Sequence, residues 1–448
     1  MARVGDIYIS ADDFRISYEL SPVDKNEYDK NYFAKKKAHL QAMIDNKLLV
    51  IAGKEQHLDE SLSKILAWYE KQAVIRELYR EVVKDKVTIS EEEIRNAFPL
   101  SSQRLMLRQL LYVSEDEAFA AYKRLQNGES FESLAKESAR SNAELSYILT
   151  PREFKWGEID ERLESVAYNL AAMEVSSPVK IDQIYHLIQL VNRKESLLLT
   201  EFSFQERSDY IEKTIRFREE AKLAERYAKT VLSDKHLEVD GKVLLEFTER
   251  FRSAKFYNDE TGILTTSALV GSERNIKDLL DKNLVCFTGG SWTLREFLDY
   301  IKYIPPGDRP NLAEPAQLKV DIALIIRDEF MVKEGYKRSL ETCSTVKKEL
   351  HQIREELLAI QVRYAITDTV KVLENEIRKY VQNCPDTKDD KYIKFALEQK
   401  KQEILQQFLS RLRKQNPVEI YDDILLSIKT SDELGIGRPI SLRHVRRF

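Results

Sequence analysis

The chain has 448 residues, 33% of them charged, with only 13 Gly and 11 Pro. That composition suits long solvated helices in two to four domains and excludes a β-sandwich. A net charge of −4 argues against a nucleic-acid partner, and Cys286, Cys343 and Cys384 with six scattered histidines offer no metal-ligand spacing, so no metal or other cofactor is expected.

In chain order, Val4-Gly5-Asp6-Ile7-Tyr8-Ile9-Ser10 predicts strand structure. Ser10 and Asp13 open a helix in capping-box style, with Phe14 as its first buried residue. Pro22 interrupts. A long helix follows from about residue 24 to 51, with Phe33, Leu40, Ile44, Leu48 and Ile51 on one side, and Gly53 ends it. From Asp59 or Ser61, a further helix carries Leu62, Ile65, Tyr69, Ala73 and Tyr79 at helical spacing. Ser90-Glu91-Glu92-Glu93 is a capping box that opens a helix over 91–98.

Residues 104–195 read as a small α+β unit. It starts with the apolar strand Leu105-Met106-Leu107-Arg108-Gln109-Leu110-Leu111-Tyr112-Val113. A helix over 117–125 stops at Asn127-Gly128, and Ser130-Phe131-Glu132-Ser133-Leu134-Ala135 starts the next. Ile159, Leu163, Val166, Ala167 and Leu170 form a third helical face. Ser177-Pro178-Val179-Lys180-Ile181 and Tyr185-His186-Leu187-Ile188-Gln189-Leu190-Val191 close the unit as strands.

That order, with the N-G-E-S-F-x-S-L-A run at 127–135, Ser176-Ser177-Pro178-Val179 and Tyr185-His186-Leu187-Ile188, resembles the parvulin family of peptidyl-prolyl isomerases. The resemblance implies a histidine on the first strand, where this chain has Gln109. It implies a cysteine or aspartate after the second helix, where this chain has Ser138-Ala139-Arg140-Ser141-Asn142. His186 is the family histidine that remains. The catalytic positions Gln109, Ser138 and His186 are thus degenerate, and Leu145, Ile159, Leu163, Tyr168 and His186 fall where the family binds peptide. Isomerisation has to overcome an amide barrier of about 18–20 kcal/mol. A glutamine cannot reproduce the tautomer exchange of an imidazole pair. Peptide binding with little turnover is therefore expected, and a strand-packing role for His186 is the bland alternative.

A long helix over 203–232 leads into Leu237-Glu238-Val239. The second half then repeats the first. Phe14 meets Phe297, Pro22 meets Pro305, and Glu93-Ile94-Arg95 meets Glu376-Ile377-Arg378, all at an offset of 283, while Gly53 meets Gly335 at 282. Leu237-Glu238-Val239 matches Val418-Glu419-Ile420 at 181, so about 102 residues are missing from the second copy, the size of the parvulin-like unit with its flanks. The expected fold is mainly α: two repeated helical modules, the first carrying the inserted α+β unit. The expected bounds are 1–100 with 199–245 for the first module, 101–198 for the insert, 246–284 for a connecting region and 285–448 for the second module, in which 383–391 bridges the gap.

This organisation resembles the SurA/PrsA-like extracytoplasmic chaperones. The resemblance implies an exported, ATP-independent chaperone for unfolded or partly folded polypeptides, in the periplasm or an equivalent compartment. Its signal peptide is then expected to have been removed, with a lipoprotein signal as one route to membrane anchoring. No run reaches membrane-spanning length, so no direct span is expected. An active isomerase using Gln109, Ser138 and His186, and a structural subunit of an envelope assembly, remain open, as does a disulfide between Cys343 and Cys384.

Overall fold

The computed structural model describes residues 1–20, 31–195, 199–253, 264–381 and 389–430. Pro22 and the expected helix start near 24, Cys384 with its expected disulfide, and most of the 383–391 bridge lie outside them. The chain divides into two compact units, one formed by Val82–Arg226 and the other combining Met1–Glu81 with Tyr227–Phe448.

The chain opens with a hairpin, β1 (Ala2–Val4) and β2 (Ile7–Ile9), followed by α1 (Ala11–Leu20), α2 (Tyr32–Gly53) and α3 (Glu60–Val82). Next come α4 (Glu91–Ser101), β3 (Gln103–Tyr112), α5 (Glu115–Gln126), α6 (Phe131–Ser138) and α7 (Asn142–Leu149). The central part ends with β4 (Arg152–Lys155), α8 (Glu161–Asn169), β5 (Val179–Ile181), β6 (Ile184–Glu195) and α9 (Glu201–Leu232). Beyond it lie β7 (Glu238–Val239), α10 (Gly241–Ser253), α11 (Thr266–Ser272) and a second hairpin of β8 (Asn283–Phe287) and β9 (Gly290–Thr293). The last elements are α12 (Leu294–Ile301), α13 (Pro315–Lys337), α14 (Ser344–Thr367), α15 (Glu374–Tyr380), α16 (Asp390–Gln415), β10 (Val418–Ile420) and α17 (Asp422–Ser427). The protein is mainly α with one small α+β domain. None of the described helices is long and apolar enough to cross a membrane.

The repeat is visible element by element. Hairpin, short helix, two long helices and a capped helix recur in order, from β1 to α4 and from β8 to α15. A long helix, a strand and a helix then close each series, α9 to α10 and α16 to α17. At Ser90 the capping box with Glu93 is complete; at the equivalent start of α15 only its return half is present, the Glu376 carboxylate accepting from the Leu373 N–H at 2.8 Å, because leucine has no side-chain acceptor.

The closing elements, however, do not return to their own copy. β10 pairs antiparallel with β1 of the first copy, Arg3 opposite Glu419, and β7 pairs with β8 of the second, Glu238 opposite Cys286. The helices do the same. One core joins Val4, Phe14, Leu40, Ile44 and Leu48 of the first copy to Leu358, Val362, Leu409, Leu412 and Leu425 of the second. The other joins Phe297, Leu298, Ile322 and Phe330 of the second copy to Val243, Phe247 and Phe251, with half-buried Trp68, Val231 and Leu232 against it. Each copy is thus completed by the other, whereas the expected arrangement had residues 199–245 closing the first module. The exchange starts in the connections after α2 and α13. There Gly53 lies so close to α14 that a Cβ would meet Val362 Cγ2 at 2.7 Å, and a Cβ on Gly335 would meet Val74 Cγ1 at 2.3 Å.

Two further expectations are corrected. Residues 246–284 are not a mere connection. Val243, Leu244, Phe247 and Phe251 form one face of α10, and with Leu269, Ile276 and Leu279 they fill the second core. The expected limits at 100 and 199 also differ from the divide at 82 and 226. Phe98 of α4 and Phe204 and Ile211 of α9 bury against Trp156, which draws both helices into the central unit.

Candidate functional site

The central unit is built on a four-stranded antiparallel sheet ordered β4-β3-β6-β5. Alternation along β3 and β6 sends side chains to two faces. A register shift between Met106 and Leu107 sets the phase of the rest of β3. On one face, Leu107, Ile188 and Leu190 pack under Leu163 and Ala167 of α8. On the other, Leu110 and Leu187 pack under Ala121, Phe131, Leu134 and Ala135 of α5 and α6. β4 and α7 were not anticipated. β4 is a short edge strand, and Ser141 caps α7 by accepting from the Glu144 N–H at 3.1 Å.

Gln109 and His186 lie on the α8 face, with Gln109 Oε1 3.3 Å from His186 Nδ1. The imidazole is half-buried, and burial holds its pKa below the ordinary histidine value, against the field of the Asp160 carboxylate. Asp160 is the N-cap of α8. It accepts from the backbone N–H of Arg162 at 2.9 Å and pairs with that residue's guanidinium, which holds its carboxyl below the usual range. Beyond Gln109 and His186 the same face becomes apolar and open: Leu111 is 49% exposed and Ile184 40%, and Val113, just past the end of β3, is 81% exposed. Ile159 is half-buried at its margin and Leu163 is buried in the core beneath.

Ser138 and Leu145 are on the other face. Ser138 hydrogen-bonds Tyr112, and Leu145 packs in the cluster of Leu110, Phe131 and Leu134. Tyr112 stands an odd number of residues from Gln109 on one regular strand, so what it touches cannot share the surface of His186. Tyr168 of α8 bridges two clusters: it packs against that of Leu163 and Ile188 and against that of Trp156, and its hydroxyl donates to the Leu100 carbonyl at 3.0 Å. Of the expected site residues, Gln109, Ile159, Leu163, Tyr168 and His186 lie on the α8 side of the sheet, and Ser138 and Leu145 do not.

The family model of the PPIC-type peptidyl-prolyl isomerase (rotamase) domain matches residues 113–192. These residues are a parvulin-type rotamase domain. Foldase protein PrsA of Geobacillus kaustophilus is 26% identical over 193 residues, which cover 39% of this chain and 67% of that protein. Foldase protein PrsA of Bacillus subtilis is 28% identical over 153 residues, covering 33% of this chain and 51% of that protein. The chain therefore spans about half to two thirds of these curated relatives. A solved structure of the SurA-like chaperones PEB4 and Cj1289 of Campylobacter jejuni is 20% identical, covers 52% of this chain and 96% of that one, and has a TM-score of 0.21.

The parvulin-type domain holds α9 through a lock that sequence reading missed. Glu164 of α8 is buried. Its Oε2 accepts from the Gly157 N–H at 2.5 Å, and its Oε1 lies 2.7 Å from Arg218 of α9. The Arg218 guanidinium lies 5.0 Å from the centre of the Trp156 ring, and the Tyr210 hydroxyl donates to the Trp156 carbonyl at 2.6 Å. Gly157 takes φ +90°, and a Cβ there would meet Thr214 Cγ2 at 2.7 Å, so the turn needs glycine both for its backbone and for the approach of α9. The dipeptide Trp156-Gly157 was the available signal.

Proposed function

We propose that this protein is an extracytoplasmic, ATP-independent holding chaperone whose parvulin-type domain binds apolar or proline-containing peptide with little isomerase turnover. The observation that carries this reading is the α8 face. It offers exposed Leu111 and Ile184, with Val113 just past the end of β3, beside a half-buried His186 whose neighbour is an amide, not a second imidazole. An open apolar strip next to a few polar groups suits weak binding of unfolded segments. Lowering the isomerisation barrier requires donors and acceptors that strengthen as the amide twists. Gln109 has a fixed donor and a fixed acceptor, and neither Ser138 nor any thiol of this domain lies on that face. The names of the PrsA relatives support a foldase-type role, and the resemblance to extracytoplasmic chaperones supports export.

Two measurements test the proposal together. In an aggregation assay with an unrelated unfolded client, the protein should suppress light scattering, and Leu111→Asp/Val113→Asp should weaken peptide binding to the domain by about tenfold or more, from the loss of two apolar contacts. In a proline isomerisation assay, turnover should stay far below that of an intact parvulin. Full turnover would refute the low-activity reading, and unchanged binding by the double variant would refute the binding face.

A further inference from the structure

We infer that the frame carries a charge code by which each copy of the helical repeat recognises the other copy and rejects itself. In the observed exchange, α2 of the first copy packs on α14 of the second, and α13 of the second packs on α3 of the first. Lys47 Nζ lies 2.5 Å from Glu355 Oε2, and Lys71 Nζ lies 2.7 Å from Glu329 Oε1. These two pairs occupy equivalent places. Ser344 of α14 stands 284 residues after Glu60 of α3, and that offset carries Glu355 onto Lys71. Gly335 stands 282 residues after Gly53, and that offset carries Glu329 onto Lys47. The glycine contacts confirm the alignment, because Gly53 packs on Leu358 and Gly335 on Val74, which the 284 offset superposes.

If each copy instead closed on itself, α2 would pack on α3 and α13 on α14. Lys47 would then face Lys71, and Glu329 would face Glu355. The first copy carries both cations and the second both anions, so opposite charges meet only across copies. The four side chains are 25%, 18%, 29% and 20% exposed in the order Lys47, Glu355, Lys71 and Glu329, so water screens them only partly. Shape does not make the same distinction, since Gly53 would accept Val74 in place of Leu358. Nor do the strands: Arg3 faces Glu419 now and would face Glu238 after self-closure. The same rule would stop two first copies from pairing between molecules.

Cross-strand disulfides in the full chain provide the test, in a Cys343→Ser/Cys384→Ser background. Glu238→Cys reports the exchange by bonding to native Cys286, its register partner. Arg3→Cys/Glu238→Cys with Cys286→Ser reports self-closure, and non-reducing gels separate bonds within a chain from bonds between chains. With native charges only the first reporter should oxidise within the chain. Lys71→Glu/Glu355→Lys makes both exchanged pairs like-charged and both self-closed pairs opposite, and the second reporter's yield should rise at least tenfold. Lys47→Glu/Lys71→Glu/Glu329→Lys/Glu355→Lys restores opposite charges across copies and should return the native pattern. The inference is overturned if the double inversion oxidises like the native chain, if it unfolds without gaining the self-closure bond, or if the fourfold reversal fails to recover the exchange.

Discussion

On the open side of the sheet, Gln109 Oε1 lies 3.3 Å from His186 Nδ1. The His186 imidazole keeps its proton less readily than a free histidine because burial penalises the cation more than the Asp160 carboxylate favours it. Its NMR titration midpoint should therefore fall below 6.5, the ordinary value for a histidine. On acidification the unfolded chain binds the proton first, so this histidine's contribution to stability is intact above its unfolded pKa and is lost as pH falls towards the folded one. His186→Gln should flatten that part of the pH profile of the central unit. Gln109→His should recover little turnover in the proline isomerisation assay, since no acidic or thiol group replaces the one missing after α6; recovery to parvulin-like rates would contradict this. His186 and Gln109 were legible from sequence because the parvulin resemblance marks both positions, and the register of β3 on β6 brings them onto one face. Ser138 and Leu145 were not, because their positions depend on the phase set by the register shift at Met106 and on the unexpected helix α7.

At the scale of elements, α8 and α9 are joined by a buried ion pair with few alternatives. Arg218→Ala would leave the Glu164 carboxylate buried with only the Gly157 N–H, and breaking one side of such a pair costs about 3–5 kcal/mol. The same loss should be visible as a lower denaturation midpoint followed by Trp156 fluorescence, in a Trp68→Phe/Trp292→Phe background. Gly157→Ala acts on the same joint through its backbone and through the clash with Thr214. It should cost about 1–3 kcal/mol and make α9 more sensitive to limited proteolysis. If either variant melts like the native protein, α9 does not depend on this lock. The helices themselves were readable from capping boxes and apolar spacing. The docking of α4 and α9 was not, because Phe98, Phe204 and Ile211 look like any helix-face residues until Trp156 is placed beside them.

On the scale of the whole molecule, the repeat was legible but the exchange was not. Phe14 and Phe297, or Gly53 and Gly335, give the same pattern whichever copy each one packs against, and β7 fits either hairpin by its residues. Only the side chains across the contact break the tie. Gly335→Ala should lower the thermal midpoint of the frame, by overpacking worth about 1–3 kcal/mol, because its new methyl would overlap Val74 of the other copy. Differential scanning calorimetry checks this, and no shift would mean α3 and α13 are not held this closely. The interleaving also governs how the chain matures. The apolar face of α2, with Leu40, Ile44 and Leu48, emerges from the ribosome more than 300 residues ahead of Leu358 and Leu409, which cover it. Contacts so remote in sequence form slowly. A newborn molecule thus carries a sticky, half-finished N-terminal segment through nearly all of its synthesis, and for that interval it is itself open to misassembly with other chains.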